Sequence, residues 1–217
     1  MLKFDKFAFS YDKYNFIQKR VLNRYLPFLK NRVVDLGCGS EGLCKYRDFE
    51  FYLGIDISEN MLKLNPCNTK QMDFNSKETF EFLKTINFKQ LVSFSALQWA
   101  YDIDFVFSQI AELNKEYILA IFTSNTFKSF HSYIGVKSPI YSREYLLNSA
   151  KILNFDSYEI LNYKLDFNSP QELLKYIKYS GVGNRVKANV SNLKKFLKDF
   201  SISYLEFEIV VFIKSGL

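Results

Sequence analysis

The stretch of sequence that decides the fold is RVVDLGCGSEGLCKYRDFEFYLGIDISENML, residues 32–62. It opens with a short apolar run, VVDL, that breaks at Gly37, as a buried strand does where it enters a tight turn. A second apolar run over residues 53–57 carries Asp56 roughly 20 residues after Asp35, the interval at which nucleotide-binding α/β units set a carboxylate against ribose hydroxyls. The pattern predicts a strand, a glycine-rich turn, a helix and a second strand.

Two kinds of glycine motif are compatible with this stretch. Gly37, Gly39 and Gly42 fit the G-x-G-x-x-G pattern of dinucleotide folds loosely, but Asp35 has no role in holding a pyrophosphate. A carboxylate there can instead meet a ligand ammonium, directly or through water. D-L-G-C-G therefore resembles motif I of class I S-adenosylmethionine-dependent methyltransferases, and G-I-D-I-S-E-N-M-L resembles the acidic loop that follows it. The double match favours a methyltransferase over nicotinamide binding.

This resemblance implies an α/β, Rossmann-like fold with a seven-stranded, mostly parallel sheet, an N-terminal helical lid and a C-terminal helical insertion. We expect a single domain over residues 1–217, with the lid in 1–30 and the insertion in 168–200, because 48% apolar content can build one sizeable core and no linker divides the chain. Glu41 stands where the motif usually has its third glycine. If Glu41 begins the next helix, its charge would favour the helix N-terminus, so the replacement can be purely structural.

The C-terminal part carries its own local signals. Ser169 and Glu172 form a capping-box pattern, with Pro170 at the first helical position and Gly181 at the helix end. A second helix is predicted to turn one apolar set inward, namely Val190, Leu193, Phe196, Leu197 and Phe200, and its lysines outward. A last strand over residues 204–214 is predicted to close the sheet in antiparallel orientation.

The same resemblance implies S-adenosyl-L-methionine as cofactor and assigns its contacts to the strand ends. Asp56 is expected at the ribose hydroxyls, while Asp73 accepts from the adenine amine and Met72 packs on the ring. The implied cofactor-binding residues are Tyr11, Asp35, Gly37, Gly39, Asp56, Ile57, Met61, Met72, Asp73, Phe74, Ser95 and Ala96.

Charge and cysteine usage limit the partners and the setting. The chain has 29 basic and 23 acidic residues, a net charge of +6, which favours an acidic partner such as RNA, an anionic membrane or an acidic carrier protein. Cys38, Cys44 and Cys67 form no C-x-x-C pair, so neither a zinc site nor a disulfide framework is predicted. A charged N-terminal region without an apolar core argues against a secretory signal, and a reducing cytoplasm is the expected location.

The predicted end of the fourth strand excludes several acceptors. The chain has Ser95-Ala96-Leu97-Gln98 there, not the (N/D)-P-P-(Y/F) motif of enzymes that methylate base amino groups. His131 is the only histidine, and we expect it to be structural more than a proton acceptor. A site without an evident base suits a nucleophile that is already ionised at pH 7, and a carboxylate, with a pKa near ~4, is such a nucleophile.

Three segments, residues 7–20, 94–102 and 172–184, resemble the corresponding parts of malonyl-acyl-carrier-protein O-methyltransferases of biotin synthesis, with A-L-Q-W ending at Trp99 as the most specific piece. The resemblance implies methylation of the free carboxylate of malonyl carried on an acidic acyl carrier protein. That ester lets fatty-acid synthesis extend the chain towards pimeloyl. No membrane role is expected, and nucleic acid is a less favoured partner.

The resemblance puts Tyr11 in the lid as a hydroxyl donor, and Arg143 and Arg185 are the candidate catalytic cations on reach alone. The candidate docking residues for the carrier are Arg185, Lys187, Lys194, Lys195 and Lys198. Three alternatives stay open at this point: a methyltransferase for another small-molecule carboxylate or metabolite, one for RNA, and a binding module that has lost catalysis.

Overall fold

The computed structural model describes residues 14–180 and 189–216. Four residues named above lie outside the described residues: Tyr11, Gly181, Arg185 and Lys187. No helix within the described ranges is long and apolar enough to cross a membrane.

A seven-stranded sheet forms the centre of the fold, in the order β3-β2-β1-β4-β5-β7-β6. Its strands are β1 Arg32–Leu36, β2 Phe51–Asp56, β3 Thr69–Gln71, β4 Gln90–Phe94, β5 Glu116–Phe122, β6 Ser157–Asp166 and β7 Tyr204–Lys214. The first five strands pair in parallel, whereas β7 runs antiparallel to both β5 and β6. The predicted Rossmann-like sheet, including its antiparallel last strand, is confirmed.

Helices cover both faces of this sheet. They are α1 Phe16–Tyr25, α2 Glu59–Leu64, α3 Lys77–Lys84, α4 Ile103–Leu113, α5 Lys128–Ile134, α6 Arg143–Ser149, α7 Pro170–Tyr179 and α8 Val190–Asp199. The start of α7 follows the predicted cap: Ser169 Oγ accepts from the Glu172 backbone N–H at 3.2 Å. The Glu172 carboxylate reaches back to the N–H of Asn168 at 3.1 Å, one residue earlier than in a standard capping box.

The core is divided by the sheet into two layers, as the sequence of β5 illustrates. Ile118, Ala120 and Phe122 join the layer that contains α1, while the alternate residues Tyr117 and Leu119 join the layer that contains α4. Side chains on successive strand residues point to opposite faces, so a strand covered on both sides must be apolar throughout. Because β1 and β4 are neighbouring parallel strands, their carboxyl ends lie side by side at one edge of the sheet.

The segment after β1 differs from its prediction. The prediction of a helix after the glycine-rich turn is wrong: a single 3-10 turn at Leu43–Lys45 takes its place, and Glu41 does not begin a helix. Gly42 adopts φ +65°, and a Cβ there would overlap side-chain atoms of Asn65 and Cys67. The loop therefore packs closely against the loop that precedes β3.

A disulfide between Cys44 and Cys67 joins these two loops, and the prediction that no disulfide forms is wrong. The two cysteines are 23 residues apart, without a recognisable pair motif, and they meet where the loop after β1 lies against the loop before β3. Cys38 remains free and buried.

Helix α8 turns a narrower apolar face inward than predicted. Phe196 is fully buried and packs edge-on against Phe130 of α5. Val190 is 66% exposed and Leu197 is 39% exposed, so these two do not face inward. Leu193 and Phe200 are partly buried against the same core layer as Phe196, and the helix lysines are exposed as predicted.

Candidate active site

A cleft lies at the carboxyl ends of β1 and β4, with α1 forming one wall. Its lining includes Asn15, which precedes α1, and Lys19 within that helix. Asp35, Gly37 and Gly39 come from β1 and its turn, and Ser95 follows β4. Ligands of open α/β sheets bind at this edge, where neighbouring connections diverge. Four residues that the sequence assigned to the cofactor, Asp35, Gly37, Gly39 and Ser95, thus meet in one cleft.

The glycine-rich turn needs its glycines for two different reasons. Gly37 has φ +75°, and a Cβ there would overlap Cβ of Ala96, so the turn packs directly on the segment after β4. Gly39 has φ +57°, and a Cβ there would meet no atom within 4 Å. Gly37 is therefore required for packing, whereas Gly39 leaves open space in which a ligand can approach the backbone.

Asp56 ends β2 next to this turn. Its Oδ1 accepts from the backbone N–H of Ser58 at 2.9 Å, and Ser58 Oγ in turn caps α2 by accepting from the N–H of Met61 at 3.2 Å. Serine is among the residues favoured at this N-cap position. These bonds fix the carboxylate at the strand end, beside Gly39.

Asp35 is buried under the turn, with only 4% of its surface exposed. The hydroxyl of Tyr52 donates to Asp35 Oδ2 over 3.1 Å. Burial raises the pKa of Asp35 from 3.8 to about 7; the Tyr52 bond opposes this rise and the charge of Asp56 adds to it. A cation arriving in the cleft would favour the ionised carboxylate and draw its proton off near neutral pH.

The residues assigned to the adenine follow directly after β3 and lie outside the lining of this cleft. Asp73 Oδ1 accepts from the backbone N–H and the side-chain amide of Asn75, at 2.9 and 2.8 Å. Met72 and Phe74 are partly buried against the core, and Cε1 of Phe74 lies 3.8 Å from the position that a Cβ of Gly37 would take. Their contact with adenine stays a prediction.

Two further residues assigned to the cofactor, Ile57 and Met61, lie just before α2 and within it. The carbonyl of Ile57 accepts a hydrogen bond from the Gln71 side-chain amide at 3.1 Å, and Met61 is 4% exposed. Neither lines the cleft, so their contact with the cofactor also stays a prediction.

The segment after β4 holds strained and unpaired polar groups. Ser95 adopts φ +67°, a left-handed conformation that costs a serine free energy and is typical of functional sites. Among the described residues, the buried Ser95 Oγ and Gln98 Oε1 have no hydrogen-bond partner. Gln98 Nε2 donates to the backbone carbonyl of Ser95 at 2.6 Å, which fixes the Gln98 side chain against this strained residue.

The candidate cation Arg143 lies near the end of β5. Its Nη1 is 3.2 Å from Oε2 of Glu208 in β7, and Glu208 Oε1 accepts from Thr123 and Asn125 at 2.7 and 2.8 Å. The Arg143 side chain is 36% exposed and that of Glu208 only 10%. The guanidinium is therefore held at the sheet edge by a carboxylate that is itself locked by two donors.

His131 is outside the lining of the cleft. It is 5% exposed on α5 and lies beside the rings of Phe127 and Phe130, and burial lowers the pKa of its imidazole while Glu206 opposes that effect. A neutral, buried imidazole in an aromatic layer fits the structural role that the sequence favoured.

Several polar residues of the site were missed by sequence reasoning. Tyr52 and Glu208 lie in apolar strand patterns, and their positions gave no functional signal. Asn15 precedes α1, and its pairing with Glu41 crosses 26 residues of sequence. Only the replacement of a motif glycine by Glu41 could have drawn attention to that pair.

Comparison with solved structures gives the class of fold. The chain matches a methyltransferase from Archaeoglobus fulgidus that depends on S-adenosylmethionine with a TM-score of 0.58 at 18% identity, covering 96% of this chain and 97% of that one. It also matches Haemonchus contortus phosphoethanolamine N-methyltransferase 2, solved with S-adenosylhomocysteine, with a TM-score of 0.57 at 18% identity, covering 98% of this chain and 58% of that one. The chain has the Rossmann-like fold of class I S-adenosylmethionine-dependent methyltransferases.

Sequence comparison identifies a narrower group of similar proteins than the fold does. Malonyl-[acyl-carrier protein] O-methyltransferase of Haemophilus influenzae is 27% identical over 218 residues, covering 91% of this chain and 83% of the relative. The enzyme of the same name from Acinetobacter baylyi is 25% identical over 227 residues, covering 95% and 87%. No family model matches the chain. The predicted resemblance to malonyl-acyl-carrier-protein O-methyltransferases is confirmed over most of the sequence.

Proposed function

We propose that this protein is a cytoplasmic O-methyltransferase that transfers the methyl group of S-adenosylmethionine to the free carboxylate of malonyl-acyl carrier protein, forming the ester that starts pimeloyl and biotin synthesis. The observation that carries the proposal is the cleft in which Asp35, Gly37, Gly39 and Ser95 meet. The similarity to enzymes of that name along most of the chain supports the choice of acceptor.

The residues of the cleft fit the cofactor. Gly39 gives a ligand open access to the turn, and the buried Asp35 offers a carboxylate to the ammonium group of a methionine moiety. The unpaired Ser95 Oγ supplies a further polar contact at the end of β4. S-adenosylmethionine supplies a methyl group on a sulfonium, which is open to in-line displacement.

On the acceptor side the protein has to orient a nucleophile and need not deprotonate it. A malonyl carboxylate is ionised at pH 7, so a positioned cation and hydroxyl donors suffice, provided that they do not quench its nucleophilicity. Arg143, held by Glu208, is the described candidate for the cation. Tyr11 and Arg185 keep their proposed roles as donor and second cation, outside the described residues.

The carrier protein is proposed to dock on the exposed lysines of α8. Lys194, Lys195 and Lys198 are all exposed, and Leu197 adds an apolar contact between them. A positive, partly apolar helix face suits an acidic partner, because complementary charges steer the encounter.

Mass measurement of the product tests the proposal. The protein is incubated with S-adenosylmethionine and malonyl-acyl carrier protein, and the carrier is expected to gain one methyl group. Acetyl-acyl carrier protein, which lacks a free carboxylate, is the matched control and should stay unchanged. With the cofactor saturating, turnover should be flat from about pH 6 to 8. An unmodified malonyl carrier, with intact cofactor binding, would refute the acceptor.

A further inference from the structure

Glu41, which replaces the third glycine of the resembling motif, connects the glycine-rich turn to the start of α1. Its Oε2 accepts from Asn15 Nδ2 at 3.2 Å and lies 3.3 Å from Nζ of Lys19. Its Oε1 accepts from the Tyr46 hydroxyl at 2.9 Å. Burial alone would raise the pKa of Glu41, but the bonds from Tyr46 and Asn15 and the charge of Lys19 lower it. The carboxylate is therefore an ionised acceptor that bridges two walls of the cleft.

This bridge fixes the orientation of the Asn15 amide. A carboxylate only accepts hydrogen bonds, so the amide turns its NH₂ group to Glu41 and its carbonyl oxygen elsewhere. Asn15 is 3% exposed, and its Oδ1 has no hydrogen-bond partner within residues 14–180 and 189–216. The side chain makes no capping bond to α1 either. A buried, oriented acceptor without a donor is costly and calls for a partner.

The position of Asn15 narrows the choice of donor. Asn15 lines the same cleft as Asp35 and Gly39, while the residues assigned to adenine lie outside that lining. The ribose hydroxyls are assigned to Asp56, and the carboxylate of a methionine moiety has no hydrogen to donate. Of the cofactor's own hydrogen-bond donors, the α-ammonium group remains, and its three N–H groups need several acceptors.

We infer that Asn15, oriented by Glu41, accepts a hydrogen bond from the α-ammonium group of the cofactor's methionine moiety, in the cleft that Asp35 also lines. This inference rests on the proposed function, since it takes S-adenosylmethionine or its product as the ligand. Glu41 acts through Asn15 and is a positioning residue. The replacement of the motif glycine thus gives the turn a second way to recognise the amino-acid end of the ligand.

Calorimetry with two ligands tests the inference without any turnover. S-adenosylhomocysteine carries the amino-acid moiety, whereas 5′-methylthioadenosine lacks it and keeps the adenine, the ribose and the sulfur. Asn15→Ala should weaken S-adenosylhomocysteine about tenfold or more, as expected for a lost bond to a charged group, and leave 5′-methylthioadenosine within about twofold.

Variants of Glu41 provide the second arm. Glu41→Ala releases the Asn15 amide and should weaken S-adenosylhomocysteine selectively, whereas Glu41→Gln can still accept from Asn15 and should restore most of the affinity. Equal losses for both ligands in Asn15→Ala would indicate a general effect on the cleft and would overturn the inference, as would an unchanged affinity for S-adenosylhomocysteine. If the unmodified protein binds neither ligand, the proposed function fails first and the inference fails with it.

Discussion

The backbone N–H of Gly39 donates to Oδ2 of Asp56 over 2.9 Å, and this bond ties the turn after β1 to the end of β2. Asn65 holds the same glycine from the other side, since its amide donates to the Gly39 carbonyl at 2.8 Å. The ligand-facing peptide is thus pre-organised, and the carboxylate beside it is already oriented before any nucleotide arrives. Pre-organisation of this kind lowers the entropic cost of binding.

Asp56→Ala should weaken S-adenosylhomocysteine at least tenfold. The substitution removes the proposed acceptor of the ribose hydroxyls and releases Gly39, and bonds to a charged group contribute about 1.5–3 kcal/mol each. Titration calorimetry measures the affinity, and circular dichroism verifies that the variant is folded. Asp56→Asn, which keeps one acceptor oxygen, is the milder control. A folded Asp56→Ala protein with unaltered affinity would refute the assignment.

Gly37→Ala should destabilise the protein more than Gly39→Ala. Both changes force alanine into a left-handed conformation at a cost of about 1–2 kcal/mol, but only the Cβ at position 37 would overlap Ala96, which adds about 1–3 kcal/mol. Urea unfolding gives the two free energies. Adding Ala96→Gly should recover part of the lost stability in the Gly37→Ala variant but not in the Gly39→Ala variant. An equal recovery in both variants would contradict the packing argument.

Asp35 should make the protein less stable as pH rises from about 4 to about 7. Burial raises the pKa of its carboxyl from 3.8 to about 7, so the folded state holds a proton that the unfolded state releases. The free energy of unfolding therefore falls as pH rises through this range, by about 4 kcal/mol in total. Unfolding of the native protein and of Asp35→Asn, compared at several pH values, gives this contribution as a difference. A constant difference across the range would refute it.

Arg143→Ala should lower turnover at least tenfold while S-adenosylhomocysteine affinity stays within a few-fold, because the proposed role is to orient the acceptor. Steady-state kinetics with malonyl-acyl carrier protein measures the first quantity and calorimetry the second. Arg24, paired with Glu159 at 2.9 Å on the outer side of α1, is the matched control, and Arg24→Ala should leave turnover unchanged. A parallel loss of cofactor affinity in Arg143→Ala would argue for a structural role.

Reversing the charges of Lys194, Lys195 and Lys198 to glutamate should raise the Michaelis constant for the carrier protein, with an effect that shrinks as salt rises. The control reverses three exposed lysines away from α8, Lys77, Lys89 and Lys151, and so changes the net charge equally. Kinetics at low and high ionic strength separate the two variants. Equal effects of both triple reversals would point to net charge and not to a docking face.

The fold was predictable because its signals are local and agree with one another. The strand-turn-strand of β1 and β2, the caps at Ser58 and Ser169 and the apolar run of β7 each follow from neighbouring residues. The pairing of Cys44 with Cys67 and of Glu41 with Asn15 depends on how two distant segments meet in space. Neither pairing produces a pattern of neighbouring residues from which it could be predicted.

The residues of the candidate site also fall into two groups, those predicted by a local motif and those brought together only by the fold. Asp35, Gly37 and Gly39 follow from one contiguous motif, and they meet in the cleft. Glu208 comes from β7, and its bond to Arg143 spans 65 residues. A carboxylate in an apolar strand has no sequence signal until its partners are known.

The place of β7 in the sheet has a consequence for how the chain is made. Because β7 lies between β5 and β6, those two strands have no neighbour on their facing edges until residues 204–214 have left the ribosome. Open strand edges are templates for unwanted pairing, and long-range pairing of this kind is slow. The half of the sheet that holds the glycine-rich turn can assemble early in translation, whereas the anchor of Arg143 is among the last parts to be synthesised.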